Sequence, residues 1–147
     1  MIGPGRIGSA LLLDTCAVIW LANGDPISAP SMEAILTASR VDSVLISPIS
    51  AWEVGLLSRP RARQAALKFL PDPKTWFGRV MTGPGVKVAP FTPEIGIDAS
   101  LLPGALHGDP ADRIIIATAR RLGIPLVTRD RQIIAYAKAG HLRVVAC

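Results

Sequence analysis

The sequence predicts a three-layer α/β/α fold around a mostly parallel sheet. Short apolar runs alternate with helical patterns along the chain, as in folds built from strand–helix–strand units. Helix stops and starts are marked by Asn-Gly, Gly and Pro. No repeat, low-complexity tract or long linker interrupts the 147 residues, a length suited to one domain.

Residues 1–9 are glycine-rich and without periodicity, and are expected to be a flexible leader to a single domain over 10–147. Ala10–Leu13 reads as a buried strand and Thr15–Ala22 as a short helix ended by Asn23-Gly24. Ser31–Arg40 is helical, Ser43–Ile46 a strand stopped by Pro48, and Ile49–Ser58 a helix. After the broken basic stretch Arg59-Pro60-Arg61-Ala62-Arg63, helices are expected over Gln64–Leu70 and Lys74–Met81. Val86–Ala89 is a strand and Pro93–Leu102 a helix. Pro110–Leu122, stopped by Gly123, is the longest helix. Leu126–Thr128, Arg131–Ala139 and Leu142–Val145 complete the pattern as strand, helix and strand.

Composition narrows the function classes. Hydrophobic residues make up 50% and charged ones 18%, where about 25% charged is usual, which excludes a disordered chain. That apolar excess calls for a partner or self-association surface. A membrane span is not expected, because Ala10–Ala22 is cut by Asp14 and is shorter than about 20 residues. Asp14 also breaks any signal-peptide core after Arg6. Two distant thiols, Cys16 and Cys147, fit a reducing, cytoplasmic setting. Sixteen basic against eleven acidic residues favour a phosphate-rich partner, although an arginine-rich codon bias would give the same balance.

Five acids carry the chemistry. In open parallel sheets, ligands bind beyond the carboxyl ends of strands. Asp14 follows Leu11-Leu12-Leu13, and Asp130 stands two residues past Thr128; both also suit helix N-caps. Glu53 is expected on the stripe of Ile49, Trp52, Leu56 and Leu57, where a carboxylate is costly unless paired or metal-bound. Asp109-Pro110-Ala111-Asp112 opens the longest helix as cap, proline and first-turn acid. Asp112 also shares the sheet-facing side with Ile115, Ile116 and Ala119, so it fits a ligand, whereas Asp109 serves as cap or as ligand. Carboxylates that converge need a counter-charge, and their oxygens select a hard cation such as Mg²⁺ or Mn²⁺. With these five set aside, sixteen basic residues face six acidic ones, an acidic pocket in a basic shell. His107 and His141 are isolated along the chain and read as surface or loop residues.

Four segments in order carry a family resemblance: Leu13-Asp14-Thr15, Ser50-Ala51-Trp52-Glu53-Val54, Asp109-Pro110-Ala111-Asp112-Arg113 and Leu126-Val127-Thr128-Arg129-Asp130. From Leu11 onward the chain resembles PIN domains, and most of all VapC-type toxins of bacterial toxin–antitoxin pairs. The resemblance implies a Mg²⁺- or Mn²⁺-dependent endoribonuclease that cleaves RNA with a metal-activated water. It places Asp14, Glu53, Asp112 and Asp130 as the metal-binding quartet, with Asp109, Thr15 and Thr128 in support. It further implies a homodimer and neutralisation by a VapB-like antitoxin whose tail is seated on the helices from Ile35 to Leu57 and from Gln64 to Met81. Ala111 departs from the aromatic residue usual between the proline and the aspartate.

Arg113, Arg129 and Arg131 neighbour the acids and are candidates to grip RNA phosphates, or to orient the carboxylates. Arg59, Arg61 and Arg63 read as a solvated loop; Trp20, Trp52 and Trp76 as core or interface; Cys16 as a small packed residue. A haloacid-dehalogenase-type phosphatase needs an acid at position 16, where cysteine stands, and a receiver domain needs a strand-end aspartate where Ser47-Pro48 stands. The rival with more weight is a non-catalytic PIN-like binding module whose acids are caps. A DNA-directed flap-type nuclease is a further alternative, because related metal sites act on both nucleic acids. The lack of a helical arch or DNA-binding appendage in the 147 residues counts against it.

Overall fold

A computed structural model describes residues 9–147; the expected leader lies, through Gly8, outside them. Strand β1 (Leu11–Leu13) is at most 1% exposed at every position. Three consecutive apolar residues leave a strand no solvent face, so both of its sides must be covered. It sits at the centre of a five-stranded, all-parallel sheet with β2 (Val44–Ile46), β3 (Val86–Val88), β4 (Leu126–Thr128) and β5 (Val144–Ala146). The order is β3-β2-β1-β4-β5, with Leu11 opposite Val44 and Leu13 opposite Val127.

The pleat of β1 divides the core in two. Leu12 packs with Leu126 and with Ile115, Ile116, Ile133 and Tyr136 on one face. Leu11 and Leu13 pack with Val127 and with Ala17, Val18, Ile35 and Ala38 on the other. Each large aliphatic side chain among them, taken wholly out of water, contributes roughly 2 kcal/mol. The architecture is the expected α/β/α sandwich.

Seven helices follow in chain order: α1 (Thr15–Asn23), α2 (Ala29–Ser39), α3 (Pro48–Leu57), α4 (Pro73–Met81), α5 (Pro93–Ser100), α6 (Pro110–Leu122) and α7 (Arg131–Lys138). Each is entered through a side chain that accepts a backbone N–H: Asp14, Ser28, Ser47, Asp72, Thr92, Asp109 and Asp130 in turn. Caps explain why α2 begins at Ala29, two residues before the expected start: Ser28 accepts from the Ser31 amide and Pro30 fits the first turn. The last strand is Val144–Ala146, where the sequence suggested Leu142–Val145. No helix among the described residues is long and apolar enough to cross a membrane.

One expected helix is absent. Residues 64–70 are irregular, because Arg61 and Gln64 pair across a tight turn in which Arg63 takes φ 65°. Pro71 disfavours helical backbone at Leu70, so too few residues remain for a helical nucleus. Phe69 is instead buried edge-on against Trp76, with ring centroids 4.8 Å apart.

The turn before β3 brings Gly85 (φ 74°) against the end of α2, where an added Cβ would overlap the Ser39 backbone. Gly24 (φ 73°) caps α1 with open space around it. Gly85→Ala is expected to cost about 3 kcal/mol, from overlap as well as backbone strain. Gly24→Ala bears only the left-handed backbone and is expected to cost about 1 kcal/mol. Urea unfolding of both variants measures the difference; equal losses would mean that the Ser39 contact is unimportant.

Candidate active site

Strand β1 marks where the chain order reverses, since β2 and β3 lie to one side and β4 and β5 to the other. Such a switch point leaves a crevice beyond the carboxyl ends of the strands. Asp14 leaves β1 and Asp130 follows β4, so both flank it. Helices α3 and α6 bring Glu53 and Asp112 to the same edge.

Asp14 is 6% exposed, and its Oδ1 accepts the Ala17 amide at 2.8 Å. Burial, and less strongly Asp130, raises its pKa above the usual carboxylate value, against bonds from Thr128 and Ala17. Thr128 Oγ1 accepts the Asp130 amide at 3.1 Å, so its own proton is left for Asp14. Thr15 donates to Glu53 Oε1 and lies 2.9 Å from Ser50 Oγ. With the Thr15 proton committed, Ser50 must donate to Thr15, which gives a directed Ser50→Thr15→Glu53 relay. Burial, then Asp109 and Asp14, raises Glu53, and the Thr15 bond opposes this.

Asp112 is the hub. Oxygens of Glu53, Asp109 and Asp112 lie within 4.8 Å of one another; so do ligand atoms of Asp112, Asp130 and His107. Desolvation, then Asp109, Glu53, Asp130 and Asp14, pushes the Asp112 carboxyl up to about 7. Among the described residues no lysine or arginine forms an ion pair with any of these five acids. The capping role is real as well: Asp109 Oδ1 accepts the Asp112 amide, and Asp130 Oδ1 accepts those of Gln132 and Ile133. Each of these caps occupies one oxygen of a two-oxygen group.

Several sequence expectations need correction. His107 is not isolated: its Nε2 stands 3.5 Å from Asp112 Oδ2, because the turn into α6 folds it back over the helix start. Trp52 is 52% exposed, and the buried positions of α3 are Ser50 and Val54. Glu53 therefore flanks a stripe set by a buried serine, which apolar periodicity overlooks; only the three-residue spacing from Glu53 marks Ser50. Cys16 is exposed, since the first turn of α1 buries Thr15 and Ala17 instead. Local desolvation and four of the carboxylates push its thiol up to about 11. Trp20 is half-buried under the Arg129 guanidinium, 3.9 Å from the ring centroid.

The three arginines differ. Arg113 donates to the carbonyls of Ala99, His107 and Ser100, and Arg129 to those of Cys147 and Pro26. Both are anchored to backbone. Arg131 is exposed with no hydrogen bond or ion pair among the described residues, so its guanidinium is open to a phosphate.

A parallel sheet of this order with a carboxylate cluster at its switch point defines an α/β protein whose acids could hold a cation. The PIN domain model matches residues 11–139, and the chain belongs to the PIN-domain family. It is 32% identical to Ribonuclease VapC22 of Mycobacterium tuberculosis over 126 residues, 85% of this chain and 90% of that one. Its fold is similar to VapBC2 from Rickettsia felis bound to a promoter DNA fragment, with TM-score 0.62, 14% identity, and 93% and 98% of the two chains covered. DNA-bound VapBC from Salmonella typhimurium is similar too, with TM-score 0.61, 17% identity, and 93% and 97% covered.

The raised carboxyl has a thermodynamic consequence. Between its usual value of 3.8 and about 7, Asp112 holds a proton in the folded state that the unfolded chain has released. Stability must then fall as pH rises through that window. Without divalent cations, Tm is expected to decline from pH 4 to pH 7. The decline should be shallower in Asp112→Asn, and Mn²⁺ should reverse it in the unmodified protein. A Tm that rises over this window would contradict the clustering.

Proposed function

We propose that this chain is a VapC-type toxin: a divalent-metal-dependent endoribonuclease that cleaves RNA and is neutralised by a VapB-like antitoxin. The observation that carries the reading is the cluster around Asp112, whose carboxyl is pushed up to about 7 with no arginine or lysine paired to it among the described residues. A set of hard oxygens in that condition fits Mg²⁺ or Mn²⁺, and Asp14, Glu53, Asp112 and Asp130 would hold it. When bound, such a cation acts as a Lewis acid that lowers the pKa of water and offsets charge on a phosphodiester.

The chain's own groups do the rest. The Ser50→Thr15→Glu53 relay fixes one carboxylate, and the Thr128 hydroxyl and Ala17 amide fix Asp14. Carboxylates fixed in this way need little rearrangement to take a cation. Arg131, next in the chain to Asp130 and exposed, would take a flanking phosphate of the RNA. Similarity to Ribonuclease VapC22 supports RNA as substrate. A toxin of this class works in the cytoplasm as a homodimer, with residues 10–147 as its nuclease domain.

Antitoxin binding is supported by an apolar cavity of about 450 Å³ on the α1–α4 side, lined by Leu13, Val18, Leu21, Trp76 and Val80. Leu70 at its rim is 70% exposed. The similarity of the fold to toxins solved within VapBC complexes supports the same partner. The rival reading, acids as caps alone, accounts for Asp14, Asp109 and Asp130. It covers Asp112 only as a first-turn acid and leaves Glu53, in the middle of its helix, unexplained.

The test is cleavage of total RNA by purified protein with Mg²⁺ or Mn²⁺, with and without EDTA, beside Asp14→Asn and Asp112→Asn. Cuts at defined sites are expected in the unmodified protein, with loss of at least about 100-fold in either variant. Products should carry 5′-phosphate ends. Cleavage that persists in EDTA or in both variants would refute the assignment.

A further inference from the structure

The loop between α5 and α6 carries one ring into the acid cluster, and three contacts determine how it stands. Arg113, the residue after Asp112, donates through Nε to Ala99 O at 2.9 Å and through Nη1 to His107 O at 3.3 Å. The loop is thereby clamped to the helix that bears Asp112. The Asp109 amide donates to His107 Nδ1 at 3.2 Å, so Nδ1 is an acceptor and the neutral ring carries its hydrogen on Nε2. That Nε2 stands 3.5 Å from Asp112 Oδ2.

Two roles are open to an imidazole so placed. As a metal ligand through Nε2 it would need its proton on Nδ1, where the Asp109 amide would then face a second donor. The Asp109 amide contact disfavours that tautomer. As a donor, it stands 3.5 Å from Oδ2 of Asp112, at the edge of hydrogen-bond reach. Once the site is loaded and the contact tightens, it would hold that oxygen and leave the other for a cation. We propose that His107 is a positioning residue: its Nε2–H orients the Asp112 carboxylate for the divalent cation, in a tautomer set by the Asp109 amide. The inference rests on the cation site proposed above, and its test reads binding and proton location, not RNA cleavage.

Mn²⁺ titration by calorimetry into the unmodified protein, His107→Ala and His107→Gln is the experiment, with Asp112→Asn as the reference for loss of a ligand. Loss of the donor is expected to weaken Mn²⁺ binding about 10- to 100-fold in His107→Ala. His107→Gln, whose amide N–H can reach the same oxygen, should recover most of that. Pulsed EPR of the Mn²⁺-loaded unmodified protein should show no directly bound imidazole nitrogen. Independently of any variant, long-range ¹H–¹⁵N spectra of the metal-free protein with its ring neutral should show the Nε2–H tautomer. Unchanged affinity in His107→Ala, a bound ¹⁴N signal, failure of His107→Gln to recover binding, or an Nδ1–H tautomer would each overturn the proposal. None of these results would touch the nuclease assignment, which stands or falls on RNA cleavage; absence of Mn²⁺ binding by the unmodified protein would sink both.

Discussion

Burial of carboxylates beside other acids at one sheet edge is the constraint around which this molecule is arranged. Water would screen such a cluster on an open surface. Here Asp14 is nearly buried, and Glu53 and Asp112 are partly so. Loss of hydration is accordingly the main reason that all three carboxyls hold their protons more tightly than usual, and neighbouring acids add to it. A fold tolerates that cost only where something else needs the charges. Arginines relieve it little: among the described residues none forms an ion pair with these acids. Arg113 and Arg129, each next in sequence to one of the quartet, are turned to backbone carbonyls, and Arg129 only weakly lowers the Asp14 carboxyl. A divalent cation held as proposed would supply the counter-charge.

The cluster is held by the same bonds that start the helices. Asp14, Asp109 and Asp130 each use Oδ1 to cap a helix, which fixes the carboxylate and satisfies orphan amides at once. Cap and ligand are therefore not rival descriptions of these residues. Where a side chain cannot cap, a hydroxyl replaces the amide: Thr15 and Ser50, both buried, serve Glu53. Leu11, Leu12 and Leu13 place Asp14, because a strand packed on both faces cannot slide without exposing leucine.

Much of this was legible from residue order. Alternation of apolar runs and helical patterns indicated the three layers, and acids just past strand ends marked the carboxylate cluster. What escaped did so for identifiable reasons. Residues 64–70 have helix-compatible composition, yet a turn at Arg63 and the proline at 71 leave no room for a helical turn. Apolar periodicity put Trp52 on the buried side of α3, whereas a hydrogen bond buries Ser50 there instead. His107 looked isolated because its partner lies across a turn, and only the fold-back onto α6 brings imidazole to carboxylate. Cys16 looked like core because small residues flank it, but the first turn of α1 points it outward. In each instance polar contacts or loop path, not hydrophobic pattern, decided the outcome.

The central claim is that these acids form one cation site, and anomalous diffraction from crystals soaked in Mn²⁺ tests it most directly. An anomalous peak among the carboxylates of Asp14, Glu53, Asp112 and Asp130, absent from crystals of Asp112→Asn, is the predicted result. A map with no peak there at saturating Mn²⁺, or with an ion bound only elsewhere on the surface, would contradict the account.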